Sequence, residues 1–329
     1  MHMPYPLTFA PVYKDYPWGG DMFARRFKRH VPFNICAESW ELADRPEGMS
    51  IVANGPLRGR TLGDLVRTMG PDLIGSMYSG GPFPLLIKLI DARERLSLQV
   101  HPDVVTAIRT GGEPKTEAWF ILEAQSSAKV FAGLKEGVTS GTFTAAMESG
   151  ALEPLLQPVA VAAGDMVFIP GGSVHAIDAG CLLLEVQQNS NTTYRVYDWG
   201  RIGPDGTSRP LHKDMALQTI DWLAARNPLK IPAPAITPGG STIRELIACP
   251  FFTLEHLFLK QPLKVTPDPR SFHALFVIEG VLTIQSGEQE WTGKQGTTWL
   301  IPAKPAAYTL HPAAATQAIR ISLPASATR

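Results

Sequence analysis

The stretch LSLQVHPD, over Leu96–Asp103, combines residue types and spacing that suit ligand or metal binding. Polar and apolar residues alternate there with a period of two, which predicts a strand with one apolar face. The other face would present a hydroxyl, an amide and an imidazole, from Ser97, Gln99 and His101. Because residues two apart on a strand point to the same side, Gln99 and His101 are expected to face a common ligand.

Two further candidate ligands follow turns in the same region. Glu117 follows the turn GGEP at 111–114, and His175 follows the turn IPGGS at 169–173. Two imidazoles and one carboxylate are a usual ligand set for a catalytic divalent metal, with Zn²⁺ as the first candidate and Fe²⁺ or Mn²⁺ as alternatives. The carbonyl of Gln99 could add a fourth, weaker ligand. The plain alternative is that both histidines are ordinary polar residues at strand ends.

Composition excludes several classes of protein. The chain has 329 residues, with 30 Lys and Arg against 30 Asp and Glu, so its formal charge is zero and it lacks the basic surface expected for nucleic-acid or membrane binding. No apolar run approaches the roughly 18 residues of a membrane span, and the N-terminus does not resemble a signal peptide. Three widely spaced cysteines favour reduced thiols in a cytoplasmic protein.

The elements that must position these residues are mainly strands. Short apolar segments such as FPLLIKLIDA, EAWFILEA, GDMVFIP and CLLLEVQQ lie between turns rich in Gly, Pro and Asp, which indicates a β-sandwich or barrel. Helices are predicted only over 61–75, with a break at Pro71, over 140–156, with breaks at Gly150 and Pro154, and over 211–225. The chain is therefore expected to be mainly β with a few short helices.

A weak internal repeat predicts two barrels of one architecture in tandem. Ile169-Pro170 in the first half corresponds to Ile301-Pro302 in the second, whereas Glu117 aligns with His273 and His175 with Ala307. A metal site in the first barrel is therefore not expected in the second. The predicted organisation is an N-terminal segment packed on the first barrel (1–82), a metal-binding barrel with a helical insert (83–224), a Pro-rich linker (225–241) and a metal-free barrel (242–329).

Four motifs in a fixed order carry a resemblance to a known family. The segments LSLQVHPD, KTEAWFIL, FIPGGSVHAI and LLLEVQQNSNTTYRVYDWGR, with YPWGG and AESWELADRPEGMSIVANG upstream, resemble type I mannose-6-phosphate isomerases in their short bacterial form. The similarity covers most of residues 10–220. Position 116 is Thr where many relatives carry Pro, and the interval of 58 positions from Glu117 to His175 leaves no room for the helical domain of longer relatives.

The resemblance implies a cupin fold of jelly-roll barrels with one zinc ion per chain. It implies that Gln99, His101, Glu117 and His175 bind the zinc and that Ser97 faces a bound sugar phosphate. It also implies that Arg195 points into the pocket as an electrostatic stabiliser. The expected reaction is the interconversion of mannose 6-phosphate and fructose 6-phosphate by proton transfer through an enediol or enediolate.

Such a reaction needs a base, an oxyanion stabiliser and a phosphate anchor. Lys115 would share the strand face of Glu117, so it is a candidate base or phosphate contact, and Lys88 is a candidate because an ammonium in an apolar strand needs a partner. We therefore expect Arg195 and Lys115 to be catalytic, and Ser97, Lys88, Lys115 and Arg195 to bind substrate. His101, Lys115 and a zinc-linked water all stay open as the base.

Two other functions stay open at this point. A metal-dependent cupin dioxygenase would use Fe²⁺ and usually more histidine ligands, and a non-catalytic sugar-binding cupin would not need both Arg195 and Lys115. The expected partner is a small sugar phosphate, with no nucleic acid or membrane, and the oligomeric state is not predicted.

Overall fold

The computed structural model describes residues 5–203, 206–223, 229–233, 240–304 and 307–324. The chain divides into two units, each of which is described by itself. One consists of the described parts of Met1–Val12, Trp40–Pro84 and Pro234–Arg329, and the other of Tyr13–Ser39 and Leu85–Ala233. We call the second of these the metal-site unit and the first the C-terminal barrel unit.

Strands dominate both units, and the described helices are short. The helices are α1 (Met22–Phe27), α2 (Leu62–Met69), α3 (Pro71–Ile74), α4 (Val104–Thr110), α5 (Ser140–Ser149), α6 (Lys213–Thr219) and a 3₁₀ turn over Glu153–Leu155. The first strands are β1 (Phe9–Ala10), β2 (Val12–Lys14), β3 (Glu38–Leu42), β4 (Asp44–Arg45), β5 (Gly48–Met49) and β6 (Ile51–Val52).

The strands that follow build two barrels. The metal-site barrel uses β7 (Leu85–Ala92), β8 (Leu98–Val100), β9 (Glu117–Ala124), β10 (Lys129–Leu134), β11 (Leu156–Ala160), β12 (Met166–Ile169), β13 (His175–Ile177), β14 (Cys181–Gln188), β15 (Tyr194–Tyr197) and β16 (Leu229–Ile231). The C-terminal barrel uses β17 (Thr242–Ala248), β18 (Thr253–Leu259), β19 (Leu263–Val265), β20 (His273–Glu279), β21 (Val281–Ser286), β22 (Gln289–Lys294), β23 (Thr298–Ile301), β24 (Tyr308–Pro312) and β25 (Thr316–Ser322).

Each barrel consists of two antiparallel sheets. In the metal-site barrel the sheet orders are β16-β12-β9-β14-β7-β3-β2 and β11-β10-β13-β8-β15. In the C-terminal barrel they are β17-β18-β25-β20-β23 and β19-β24-β21-β22. Neighbours that are distant in sequence, such as β14 beside β7, are the long-range pairings expected of a jelly roll. The prediction of a mainly β, tandem-barrel fold of cupin type is confirmed.

Apolar residues fill the space between the sheets of each barrel. In the metal-site barrel Trp119, Ile121 and Leu183 are completely buried together, and in the C-terminal barrel Leu275, Leu282 and Trp299 form the equivalent core. The central strand β7 is buried at all eight positions, so its two charged residues, Lys88 and Asp91, need internal partners. Cys36, Cys181 and Cys249 are buried and unbridged.

The predicted helices are found, with shifted ends. Residues 61–75 form α2 and α3 with the break at Gly70-Pro71, and α5 ends at Gly150 as predicted. Helix α6 covers only Lys213–Thr219, and positions 224–225 of its predicted range lie outside the described residues. Helices α1 and α4 were not predicted. The longest helix in the described part of the chain has 10 residues, so none there is suited to cross a membrane.

The predicted domain boundaries stay predictions. The division into units places Tyr13–Ser39 with the metal-site barrel and Trp40–Pro84 with the C-terminal barrel, so residues of the predicted N-terminal segment occur in both. Most of the predicted linker, namely 225–228 and 234–239, lies outside the described residues.

Candidate metal centre and active site

The barrel strands bring the four predicted ligands together. Gln99 lies in β8 directly opposite His175, the first residue of β13, and His101 follows β8 by one residue. Glu117 begins β9, where it pairs with Ile169 at the end of β12. Three of the four therefore lie at strand ends beside turns, where side chains can converge without interrupting the hydrogen-bonded ladders.

His101, Glu117 and His175 form a tight, buried cluster. His175 Nε2 lies 3.3 Å from Glu117 Oε1, and His101 Nε2 lies 3.5 Å from Glu117 Oε2. Suitable ligand atoms of all three lie within 4.8 Å of one another, and none of the three residues is more than 1% exposed. This is the donor set and spacing of a candidate divalent metal centre.

Backbone carbonyls orient both imidazoles. His101 Nδ1 lies 2.8 Å from the carbonyl oxygen of Thr192, and His175 Nδ1 lies 2.9 Å from that of Ser173. Because a carbonyl oxygen can only accept a hydrogen bond, each Nδ1 carries the proton. Each Nε2 is then left with a lone pair that faces Glu117, which is the arrangement of a histidine metal ligand.

The small number of hydrogen-bond donors around the Glu117 carboxylate also suits a bound cation. Within the described residues, both carboxylate oxygens of Glu117 are buried without a hydrogen-bond donor in good geometry. The ammonium of Lys115 lies 2.8 Å from Glu117 Oε2 and 2.9 Å from His101 Nε2. Two of the three inward-facing ligand groups thus already contact a positive charge. A buried carboxylate with so few donors is costly unless a cation neutralises it.

Burial controls the charge of the histidines and the glutamate. It lowers the pKa of His175 to about 4, and burial and the Lys115 ammonium hold the pKa of His101 well below its ordinary value. Both imidazoles are therefore neutral near pH 7, as metal binding requires. Burial and the nearby carboxylate of Glu185 raise the pKa of Glu117, so this carboxylate also gains from a neighbouring cation.

Gln99 lies beside the cluster with its amide nitrogen inward. Gln99 Nε2 is 3.2 Å from His175 Nε2 and 3.4 Å from His101 Nε2, while its Oε1 accepts a hydrogen bond of 3.2 Å from Ser97 Oγ. Only the amide oxygen can bind a metal, so that role requires the amide to turn by 180°, which exchanges two atoms of similar size.

Two glycines of the IPGGS turn hold the strand ends in place. Gly172 N donates to the carbonyl of His101 at 2.7 Å, and Gly171 N donates to Thr116 Oγ1 at 3.2 Å. Thr116 N in turn donates to Gln188 Oε1 at 2.9 Å. The hydroxyl of Thr116, at the position where many relatives are expected to carry Pro, therefore ties the turn before His175 to the start of β9.

A second buried charge cluster adjoins the metal ligands. Lys88 Nζ lies 2.9 Å from Glu185 Oε1 and 3.6 Å from Glu38 Oε2, and Trp119 Nε1 donates to Glu185 Oε2 at 2.8 Å. Lys115 Nζ lies 4.0 Å from Glu185 Oε1. Burial alone would lower the pKa of Lys88, but the Glu185 and Glu38 carboxylates outweigh it and raise that pKa.

The sequence did not reveal Glu185, Glu38 or Trp119. The available signal was that Glu185 interrupts the apolar strand CLLLEVQQ, just as Lys88 interrupts LLIKLID. Glu185 and Lys88 are directly paired across β14 and β7, so each resolves the burial cost of the other.

A cavity of about 340 Å³ opens beside these two clusters. It is lined by all four predicted substrate-binding residues, Ser97, Lys88, Lys115 and Arg195, together with Gln99, Glu185 and Arg209. Four cationic side chains against the two carboxylates of Glu38 and Glu185 leave the lining with an excess of positive charge, which favours an anionic ligand. The volume is in the range of small-molecule sites.

Arg195 approaches the metal ligands through strand pairing. It lies in β15 directly opposite Gln99 of β8, so the two side chains share a face. Arg195 Nη1 donates to the carbonyl of Pro210 at 2.9 Å, and its Nε is buried without an acceptor among the described residues. Burial and the guanidinium of Arg209 lower the pKa of Arg195. A pair of like charges with an unused donor is a suitable place for an anionic group.

Arg209 is fixed on the other side by Asp198. Its Nε and Nη2 donate to the two carboxylate oxygens at 2.8 and 2.6 Å. Asp198 also accepts from Arg201 Nη1 at 3.0 Å and is buried. The aspartate thus holds a cationic group in a defined orientation at the cavity wall.

The fold and this centre define a tandem-barrel protein of the cupin class with a candidate metal site in one barrel. Residues 7–115 match the family model "Phosphomannose isomerase type I, catalytic domain", and residues 242–321 match "Mannose-6-phosphate isomerase, cupin domain". The chain is 36% identical over 299 residues to mannose-6-phosphate isomerase ManA of Bacillus subtilis, covering 90% of this chain and 93% of the relative.

Two further comparisons agree with this match. The mannose-6-phosphate isomerase of Streptococcus mutans is 32% identical over 286 residues, which is 87% of this chain and 88% of the relative. The crystal structure of the mannose 6-phosphate isomerase from Bacillus subtilis superposes with a TM-score of 0.87 at 30% identity, covering 96% of this chain and 99% of that one. The chain belongs to the type I phosphomannose isomerase family.

Proposed function

We propose that this chain interconverts mannose 6-phosphate and fructose 6-phosphate in the cavity beside His101, Glu117 and His175. One observation carries the proposal above all: the cation-lined cavity opens directly beside a buried, carbonyl-oriented His–Glu–His cluster in a member of this family. A phosphorylated sugar supplies the anion that such a cavity favours.

The metal is proposed to be zinc, one ion per chain, held by His101, Glu117, His175 and the amide oxygen of Gln99. When bound, zinc would supply Lewis-acid stabilisation to the sugar oxygens on which negative charge develops. The neutral Nε2 atoms and the buried carboxylate of Glu117 support this choice, because imidazole and carboxylate suit Zn²⁺. The ion would compete with Lys115 for two of its present contacts and leave that ammonium facing the cavity.

The proton transfer is proposed to run through Lys115 in its amine form, because an ammonium has no lone pair with which to accept a proton. The reaction requires a base that takes the proton from C2 of the aldose and returns it to C1 as the carbonyl moves to C2, with an enediol or enediolate between. Of the side chains considered as base, His101 points its free lone pair into the ligand cluster, whereas Lys115 lines the cavity itself. Lys88 and Glu185 form a fixed ion pair that holds the charges around Lys115 in place.

The two arginines divide the remaining tasks. Arg195, opposite Gln99, is proposed to stabilise the charge of the enediolate, while Arg209, oriented by Asp198, anchors the phosphate together with Lys88. Ser97 is proposed to contact a sugar hydroxyl, because it lines the cavity and its Oγ lies beside Gln99. A metal-dependent dioxygenase remains the weaker alternative because the cluster offers only two histidines.

A coupled assay of mannose 6-phosphate conversion, before and after chelation, tests the proposal. Isomerisation should disappear with the metal and return when Zn²⁺ is restored, and atomic emission should find about one zinc per chain. An active enzyme whose metal content is zero would contradict the metal role. A zinc-loaded enzyme without isomerase activity would instead favour a sugar-binding cupin.

A further inference from the structure

The C-terminal barrel has a polar cluster at the strand positions that match the metal centre. His273 of β20 pairs with Ile301 of β23, as Glu117 of β9 pairs with Ile169 of β12. The position of the metal-binding carboxylate is therefore taken by an imidazole. Tyr308, the first residue of β24, lies 2.7 Å through its hydroxyl oxygen from His273 Nδ1.

The buried ion pair next to the metal site also has a counterpart, with the charges exchanged. Glu255 and Arg320 are directly paired across β18 and β25, as Lys88 and Glu185 are across β7 and β14. Arg320 Nε and Nη2 donate to the two oxygens of Glu255 at 2.6 and 2.9 Å. This bidentate pair is complete in itself and leaves no charge free to bind a metal.

The hydrogen bond between His273 and Tyr308 leaves one imidazole donor free. Burial lowers the pKa of His273 to about 4 and raises that of Tyr308, so both groups are neutral near pH 7. The Arg320 guanidinium faces the Tyr308 oxygen, and it can only donate, so the phenol hydrogen points to Nδ1 of His273. The proton of the imidazole is then on Nε2, which has no partner among the described residues.

A cavity of about 410 Å³ opens at this cluster. Its polar lining includes His273, Glu245, Thr253, Glu255, Asp268, Arg270, Ser271 and Ser322. Its volume is similar to that of the cavity in the metal-site barrel, about 340 Å³, and is large enough for a small ligand.

The charges around this cavity exclude anions. Arg320 is neutralised by Glu255, and Arg270 is neutralised by both oxygens of Asp268 at 2.5–2.9 Å. Glu245 lies opposite Glu255 in the β17–β18 register and adds a negative charge at the rim. Carboxylate oxygens that accept and an imidazole N–H that donates form a pattern complementary to hydroxyl groups.

We propose that the C-terminal barrel binds a neutral, hydroxyl-rich ligand, an unphosphorylated sugar, in the cavity at His273. This cavity lies at the same position in its barrel as the proposed catalytic cavity. In place of metal ligands and cationic groups it has paired charges and one imidazole N–H donor, that of His273. A sugar phosphate is selected against there by the negative charge of Glu245, because Arg270 and Arg320 are already paired with carboxylates, so the two barrels would distinguish the phosphorylated from the unphosphorylated sugar. The inference does not depend on the catalytic assignment.

The test uses saturation-transfer NMR on the full zinc-loaded chain with D-mannose and D-fructose as probes, at about 10 mM to detect a Kd of about 1 mM. His273→Phe keeps an aromatic ring but removes both nitrogens, and it should weaken sugar binding about tenfold or more. Arg195→Ala, which alters the other cavity, should leave sugar binding unchanged. The kcat for mannose 6-phosphate should stay within about twofold of wild type in His273→Phe, where about twofold is 0.4 kcal/mol.

Glu245→Lys is a second variant, at an exposed position where folding is not at risk. It places a cationic side chain at the rim and should also weaken sugar binding. Binding that is lost in Arg195→Ala and kept in both C-terminal variants would overturn the proposal. Absence of binding of both sugars to the wild-type chain would overturn it equally.

Discussion

At the scale of single residues, the candidate metal centre depends on how each proposed ligand is oriented. The imidazoles of His101 and His175 are held by backbone carbonyls, whereas Gln99 is held by the hydroxyl of Ser97. An amide oxygen is a weaker ligand for Zn²⁺ than an imidazole nitrogen. The contribution of Gln99 to metal binding should therefore be the smaller one.

This difference gives a prediction about metal content. Gln99→Ala should keep more zinc than His101→Ala, and both should keep less than the exposed control His30→Ala, measured by atomic emission after dialysis. Removing one imidazole ligand should lower metal affinity by about tenfold or more, by analogy with the 10–100-fold effects of outer ligand partners. Greater metal loss in Gln99→Ala than in His101→Ala would contradict the ligand assignment.

Lys115 is predicted to compete with the metal and yet to be needed for catalysis. Lys115→Met removes the ammonium from His101 Nε2 and Glu117 Oε2, so zinc affinity should stay the same or rise. The loss of a general base should nevertheless lower kcat by about 10²–10⁴-fold. Zinc titration and steady-state kinetics on the same preparation measure both effects. If Lys115→Met loses its zinc, Lys115 supports the site and does not compete for it.

Arg195 provides a separate test of charge stabilisation. Arg195→Ala should retain zinc, because its guanidinium contacts none of the metal-facing atoms in the described structure. Loss of an interaction made mainly in the transition state should lower kcat by about 10²–10³-fold with little change in KM. Arg195→Lys keeps the charge but loses the planar fork, so partial recovery is expected. A raised KM at normal kcat would assign Arg195 to phosphate binding instead.

His101, Glu117 and His175 could be found because they lie at strand ends beside turns, and Gln99 because it lies two residues before His101 on one strand face. The resemblance of the surrounding motifs then grouped the four as one ligand set. Their roles as a group remain proposals, although three of them lie in one buried cluster. Glu185 was missed because its significance depends on its cross-strand register with Lys88 and Trp119, and register between distant strands cannot be read from one sequence.

At the scale of elements, the IPGGS turn controls the geometry of the site. It connects β12 to β13. Its backbone N–H groups donate hydrogen bonds to His101, a proposed ligand, and to Thr116, which directly precedes the proposed ligand Glu117. A Cβ at Gly171 would lie 2.7 Å from Asp103 Cα and 2.8 Å from its nitrogen, which is closer than atoms can pack. The absence of a side chain there allows the two backbones to meet.

Gly171→Ala should therefore disturb the metal centre without touching a ligand. Overpacking against the backbone should cost about 1–3 kcal/mol of unfolding free energy and lower the zinc content. Gly141→Ala in α5 is a matched control, because its Cβ would meet only Thr139 Oγ1 at 3.9 Å and a helical Gly→Ala change should stabilise by about 0.5–1 kcal/mol. Urea unfolding and metal analysis measure the two effects. Full zinc content in Gly171→Ala would show that the IPGGS turn does not control the geometry of the site.

The helices were the least predictable elements. Helix α4 begins with a capping box between Asp103 and Thr106, but its β-branched residues Val104, Val105 and Ile108 are exposed, so the usual apolar stripe does not mark it. Helix α5 was predicted from small and apolar residues at helical spacing, and Gly150, which adopts φ of 75°, ends it in the left-handed conformation that glycine favours.

At the scale of the whole molecule, the two barrels show how one architecture accepts different polar interiors. The tandem fold was predictable from the repeated strand ending in Ile-Pro, and the register places Ile169 and Ile301 equivalently. What could not be predicted is that the C-terminal barrel keeps a partly buried charge pair, Glu255–Arg320, at the place of Lys88–Glu185. The two-residue alternation along each strand sets which side chains face the barrel interior. The residue paired with each of them on the neighbouring strand determines whether it forms an ion pair or part of a binding site.

Because only the metal-site unit has the candidate ligand cluster among the described residues, chelation should destabilise one unit selectively. A metal that binds only the folded state stabilises it by about 4 kcal/mol when present at about 1,000 times its Kd. Without it, the buried carboxylate of Glu117 depends on the Lys115 ammonium 2.8 Å away, and burial raises its pKa. Calorimetry of the full chain should show a transition that moves to lower temperature with chelator and returns with Zn²⁺. His175→Ala serves as the control, since its thermogram should respond much less to either addition. A wild-type thermogram that chelation leaves unchanged would mean that the His–Glu–His cluster holds no structural cation.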